Sequence, residues 1–183
     1  MEKKIYQNYL LNLIPIVKKQ AYEAKTEANT PREKTEDDIS QGVLMGYYSI
    51  ITLFKHEAFT FCIDQKEIGL AEIKPDIDLL CMGSPPNRNP DVDCVEDNWA
   101  IDEMTEQRVM WYLSDLNVLL QERAMEAKKD ADAPKEGFES YNKGELLAYH
   151  RVFSTMQKQA SLFDLNQEEI RLSDIDPDRD LVV

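Results

Sequence analysis

Residues 42–80 can be laid on residues 144–182 without a gap, and this internal match constrains the fold more than any other feature. Gly42-Val-Leu-Met-Gly-Tyr-Tyr pairs with Gly144-Glu-Leu-Leu-Ala-Tyr-His. Asp64-Gln-Lys-Glu-Ile-Gly-Leu pairs with Asn166-Gln-Glu-Glu-Ile-Arg-Leu, and Ile73-Lys-Pro-Asp-Ile-Asp-Leu with Ile175-Asp-Pro-Asp-Arg-Asp-Leu. Fourteen of the 39 positions are identical, where average usage gives about two or three by chance. A second match, shifted by one residue, sets Tyr9–Lys25 on Tyr112–Lys128. The chain therefore reads as two copies of one unit of roughly 80 residues. Residues 1–80 form the first repeat, 81–100 a connector and 101–183 the second repeat. A unit of that size alone has a marginal core, so the copies are expected to pack on each other as a fused pseudo-dimer with one shared core.

Hydrophobic periodicity gives the class. Leu44, Tyr47, Ile51, Phe54, Ala58 and Phe61 recur at alternating three- and four-residue steps, and Leu146, Tyr149, Phe153, Met156, Ala160 and Phe163 keep that register. This seam belongs to a helix, about 39–62 in the first copy, packed nearly parallel or antiparallel to its neighbours. Gly42/Gly144 and Gly46/Ala148 set small residues one turn apart. A glycine inside a helix otherwise costs about 1 kcal/mol, so they predict a close helix crossing.

A first helix is expected over 3–27, from Tyr6, Tyr9, Leu10, Leu13, Ile14 and Val17, with Pro15 bending it. Its counterpart spans 102–128, with Met110, Leu113, Leu116, Leu120 and Ala124 inward. Polar loops are expected over 26–37 and 129–140. Asp64-x-x-Glu67 and Asn166-x-x-Glu169 resemble capping boxes and predict a short third helix in each copy. The proline-containing tails that follow, Ile73–Leu80 and Ile175–Val182, are expected to be extended. No stretch alternates with period two. The expected fold is all-α, a pseudo-twofold helical bundle.

Charge bounds the partners. The net charge is -14. Residues 1–92 carry 11 Lys and Arg against 14 Asp and Glu, and residues 93–183 carry 10 against 21. Such a field repels nucleic acid and anionic membranes and speeds encounter with a basic protein. Met-Glu-Lys-Lys-Ile-Tyr shows no apolar signal region, and no run approaches the ~20 apolar residues needed to span a bilayer. Cys62, Cys81 and Cys94 lack metal-ligand spacing, and an odd count suits free thiols in a reducing cytoplasm.

No pattern along the chain specifies a reaction. Asp174-Ile-Asp176-Pro-Asp178-Arg-Asp180 alternates acids as a calcium loop does, but lacks the Gly and the bidentate Glu, and the first copy carries Lys74 at an oxygen-ligand position. His56 and His150 have no acid three residues before them, which excludes the Glu-x-x-His of di-metal bundles. Glu33-x-x-Glu36 and Glu103-x-x-Glu106 could hold Mg²⁺ from facing helices, yet acids at helix starts are favoured by the dipole alone. No nucleophile motif and no phosphate loop occurs. No catalytic, cofactor or metal residue is therefore assigned.

The expected contact surface is the connector. Asp91, Asp93, Glu96 and Asp97 with Trp99, then Asp102 and Glu103, concentrate charge around one aromatic anchor. The functional expectation is a non-catalytic inhibitor of the immunity, antitoxin or phage anti-defence kind. Its partner would be a basic protein, such as a toxin or a nucleic-acid-handling enzyme. The alternative is a structural or adaptor module of a larger assembly.

Overall fold

The computed structural model describes residues 4–30, 33–80 and 105–182. Among these every regular element is helical. Helix α1 spans Ile5–Ala28, α2 Lys34–Thr60, α3 Glu106–Asp132 and α4 Glu139–Leu162. A final single turn, α5, spans Pro177–Asp180. The four long helices form a bundle in which α2 and α4 share the most extensive interface. Helix α1 packs mainly on α2, and α3 mainly on α4, while each also reaches the opposite seam helix. The core draws on all four, and its largest fully buried side chains include Tyr9, Tyr47, Tyr112, Phe54 and Phe153. None of the described helices is long and apolar enough to cross a membrane.

The seam lies where its spacing predicts. Leu44, Tyr47, Ile51, Phe54 and Ala58 are buried, as are Leu146, Tyr149, Phe153, Met156 and Ala160, with Phe61 and Phe163 half-buried at the ends. Polar ends of the core rings are satisfied across the bundle. The Tyr9 hydroxyl donates to the Met156 carbonyl at 3.2 Å, and the Tyr112 hydroxyl to the Phe54 carbonyl at 3.3 Å. Tyr9 meets Phe163 edge-on and Tyr112 meets Phe61 likewise, each with ring centroids 6.3 Å apart.

Several expectations about local structure are corrected. Helix α2 begins five residues before its first expected residue, and α3 runs four residues past its expected end, so both polar loops are shorter. Both extensions are built of good helix formers such as Lys34, Glu36 and Lys129. Pro15 lies on the exposed side of α1, which continues through it to Ala28. The capped third helix is absent among the described residues. Asp64 Oδ1 accepts from the Lys66 amide and Asn166 Oδ1 from the Glu168 amide, two residues on, which makes Asx turns rather than capping boxes. These segments lie between left-handed residues, Cys62 and Gly69 in one half and Asp164 and Arg171 in the other. The space between is too short to nucleate a helix. The tails are not extended either. Asp76–Leu80 is a π-helical turn and Pro177–Asp180 a helical turn, each started by a proline. At the first helical position the missing N–H is not needed, so proline initiates there.

The start of α1 has no side-chain cap of its own. Glu106, at the start of α3, supplies one from a distance: its carboxylate accepts from the Tyr6 amide at 2.8 Å and the Gln7 amide at 3.4 Å. Glu106→Ala is expected to cost about 1 kcal/mol, as loss of a cap does. A thermal melt should fall by roughly 2–4 °C, and no change would show that solvent serves those amides equally well.

Candidate functional site

The connector residues Asp91, Asp93, Glu96, Asp97, Trp99, Asp102 and Glu103 all lie outside the described residues. The other sequence candidates have local structural duties. Glu33 stands at the N-cap position of α2 with Glu36 in its first turn, and Glu106 caps α1. Asp176 accepts from the Asp178 and Arg179 amides to start α5. Asp180 accepts from the Asp176 amide and pairs with Arg179, which holds its carboxyl down at about 2. The acids of 174–180 thus turn onto their own backbone and their own arginine. His150 is partly buried and contacts Asp178 at 2.9 Å, tying α5 to α4; at the position 102 residues earlier, the Tyr48 hydroxyl donates to Asp76 at 2.8 Å. Among the described residues, no three His, Cys, Asp or Glu side chains are grouped to hold a metal ion. Cys62 is exposed with a free thiol.

Two concavities stand out. One, of about 860 Å³, runs along α1 and the 66–72 loop, floored by Pro15, Tyr22 and Gly69. Its charges alternate: Lys18 pairs with Glu72 at 3.5 Å and Lys19 with Glu23 at 3.7 Å. The other, of about 670 Å³, lies where α2, α3 and α4 meet. It has the smaller volume but the more distinctive chemistry.

Helical spacing assembles this second cleft. From α2 come Tyr48, Thr52 and His56 along one stripe and Leu53 and Glu57 along the next. From α3 come Leu119, Arg123, Glu126, Ala127 and Asp130, and from α4 Glu145 and Tyr149, four residues apart. Four carboxylates from three helices therefore line the cleft. Glu57 is only 3% exposed. Its Oε1 lies 2.9 Å from Nδ1 of the exposed His56, and no other partner reaches its carboxylate among the described residues. Burial, and then the charge of Asp130, push the Glu145 carboxyl above the usual carboxylate range. Burial likewise raises the Tyr149 phenol. Arg123 is engaged on the solvent side with Glu126 at 3.1 Å. The lining can accept hydrogen bonds at several carboxylate oxygens and hold positive charge between them.

The surface between α1 and α4 is built differently. There the Tyr47 hydroxyl donates to Gln20 Oε1 at 3.4 Å, and Gln20 Nε2 donates to Thr155 at 3.2 Å. Burial pushes the Tyr47 phenol up to about 12 against the opposing pull of Arg151. Neutral groups and an arginine knit that side together.

Sequence patterns alone do not single out Glu57, Glu126, Asp130 and Glu145. One signal is nevertheless present. Glu57 follows Phe54 by three residues and precedes Ala58 by one, so it is a charged residue on the inward side of a seam helix. Comparison with protein-family models, with curated proteins and with solved structures finds no match to this chain.

Proposed function

We propose that this chain is a non-catalytic inhibitor that binds a basic protein through an acidic surface, in the manner of immunity, antitoxin or phage anti-defence proteins. The observation that carries the reading is the gathering of Glu57, Glu126, Asp130 and Glu145 around one cleft in a chain of net charge -14. A one-signed field steers an oppositely charged partner, and a cleft sharpens it. The connector acids around Trp99, a contact surface proposed from the sequence, lie outside the described residues. A cleft that offers acceptors, with an arginine already paired, suits binding better than turnover.

The reading includes an ancestral duplication of a helical unit, packed about a pseudo-twofold axis. What favours it is a run of paired details at positions 102 or 103 apart. Lys55 Nζ donates to the carbonyls of Leu70 and Ile73, and Gln157 Nε2 to those of Leu172 and Ile175. The amide of Lys74 donates to Asp78 and that of Asp176 to Asp180. The cross-bundle bonds of Tyr9 and Tyr112 pair in the same way. Left-handed Cys62 answers Asp164 and Gly69 answers Arg171.

An adaptor role is the second reading, and its motive is apolar rather than ionic. Phe59, near the end of α2, is 79% exposed, and Leu162, at the end of α4, is 69% exposed. Ionic strength separates the two readings. The tagged full chain is used to capture proteins from its native host, and association with the captured protein is then followed in roughly 50 and 500 mM salt. A charge-steered inhibitor should associate at least about tenfold more slowly in high salt. Rates that ignore salt would replace the inhibitor by the adaptor.

A further inference from the structure

The groove along α1, of about 860 Å³, differs from the matching surface of the other half in both shape and charge. Its apolar floor joins Pro15 and Tyr22 of α1 to Gly69 and Ala71 of the loop that follows α2. A Cβ added at Gly69 would meet nothing nearer than Ile14, at 3.8 Å, so the floor is open there. In the second half Arg171 aligns with Gly69 and Ser173 with Ala71, and a long side chain stands where the first half leaves room. Lys18, Lys19 and Lys66 align with Gln121, Glu122 and Glu168. Three Lys thus face three Glu around the groove, whereas the aligned positions carry two cations and five acids.

The chain itself supplies an occupant. Lys25 Nζ donates to the Asp78 carbonyl at 2.6 Å, which sets the end of the first half beside the last turns of α1. Glu106 accepts from the Tyr6 amide at 2.8 Å, which sets the start of α3 beside the first turn of α1. Residues 81–104, which lie outside the described residues, therefore join the two ends of α1, and the groove lies between those ends. Tyr6 and Lys25 are roughly 30 Å apart along the helix, and a stretch of this length reaches ~80 Å when extended, so the path along α1 is within reach. Residues 91–104 hold six acids and no Lys or Arg, together with Trp99 and Ile101. Such a segment is repelled by an acid-rich surface and admitted by one whose charges balance. Its indole gains by leaving water for an apolar floor.

We propose that the groove along α1 is the docking site of the chain's own segment 91–104, with Trp99 as the anchor, and that the aligned surface of the second half takes no such segment. Docking there would array the connector acids along one face of the molecule, beside Lys18, Lys19 and Lys66. The inference concerns the chain's contact with itself, and it stands or falls separately from the inhibitor reading.

Fluorescence of the full chain tests it. Trp111, the other tryptophan, is exposed, so Trp111→Phe leaves Trp99 as the reporter. In that variant Trp99 emission is expected to be blue-shifted, and shielded from acrylamide, relative to a peptide of residues 91–104. Ala71→Arg, which fills the groove, and Tyr22→Ala, which strips its floor, should each abolish the shift and the shielding. Met125→Ala, at the position of α3 aligned with Tyr22, should leave both unchanged. Tyr22 is exposed and Ala71 half-buried, and helical circular dichroism checks that each variant keeps its fold. If Ala71→Arg melts early, Tyr22→Ala carries the comparison. The proposal is overturned if Trp99 is as open to acrylamide as in the peptide, or if its shielding survives both groove variants. Shielding that appears only as protein concentration rises would also overturn it, since a second copy would then fill the groove.

Discussion

Gly144→Ala should destabilise the protein by about 3 kcal/mol or more, a change for which an ordinary helix would gain about 1 kcal/mol. A Cβ on Gly144 would overlap the Ile39 carbonyl oxygen and lie 3.0 Å from the Val43 amide nitrogen. A Cβ on Gly42 would overlap the Tyr141 carbonyl oxygen and lie 2.9 Å from the Glu145 amide nitrogen. These obstacles are backbone, which cannot swing aside as a flexible side chain would. Helices α2 and α4 must therefore separate, and with them the widest interface in the bundle. The loss is a large part of the roughly 5–15 kcal/mol that holds a typical domain together, and a melt should fall by roughly 10 °C. Gly42→Ala should behave alike. The double variant should cost less than the sum, because helices already parted for one methyl have room for the other. Strict additivity would mean that the two contacts yield locally and that no shared crossing exists. Gly137 is the control: an added Cβ there meets nothing within 4 Å, so only its left-handed backbone, at φ +87°, penalises alanine.

That crossing is legible in the sequence because glycine on the inward side of a strongly periodic helix weakens it unless two backbones approach closely there. Periodicity is legible on similar grounds: Leu44 to Phe61 and Leu146 to Phe163 each bury one stripe, and a stripe repeats every 3.6 residues whatever lies opposite. The segments after the seam helices are ambiguous in one dimension, because Asp64 and Asn166 give the same signal for an Asx turn as for a helix cap. What decides between them is the chain that follows, here closed off by a left-handed residue at 69 and 171. Pro75 and Pro177 mislead for a related reason, since proline blocks a helix that arrives and favours one that departs.

The candidate site is less legible than the fold. Its residues come from α2, α3 and α4, and no spacing along the chain says which face of α3 turns toward α2. Charge density draws attention to the connector, where Asp91, Asp93, Glu96 and Asp97 crowd toward the indole of Trp99 along the chain itself. The cleft gathers its four carboxylates only in three dimensions. The clue that the sequence does carry is Glu57 on an inward face, together with its replacement by Gln159 in the matching position.

Alkali should unfold the protein abruptly between about pH 11 and 12, through its buried tyrosines. Burial pushes the phenols of Tyr9 and Tyr112 well above their ordinary 10.0, and both are fully enclosed with their hydroxyls on helix carbonyls. Tyr47 is raised to about 12, and Tyr149 is raised by burial as well. A group whose pKa is higher in the fold contributes its full share below the unfolded value and loses it as pH climbs toward the folded one. The unfolded chain sheds these protons from about pH 10 while the fold retains them, so each phenol removes about 1.4 kcal/mol per pH unit. Four together remove about 5 kcal/mol per unit, which exhausts an ordinary stability within about one to two units. Tyr6, Tyr22, Tyr48 and Tyr141 are exposed or half-buried and ionise without unfolding, so the share of tyrosinate absorbance that belongs to Tyr9, Tyr47, Tyr112 and Tyr149 should rise in a step that coincides with loss of helical circular dichroism. Tyr112→Phe gives the sharper check. At neutral pH it should be less stable by about 0.5–1.5 kcal/mol, for the lost bond to the Phe54 carbonyl. Near about pH 11 the order should equalise, and above that the variant should outlast the wild type, because phenylalanine has no proton to lose. Smooth ionisation of all eight tyrosines near about pH 10 with the helices intact would place Tyr9 and Tyr112 in water and would dismantle the core described for both halves.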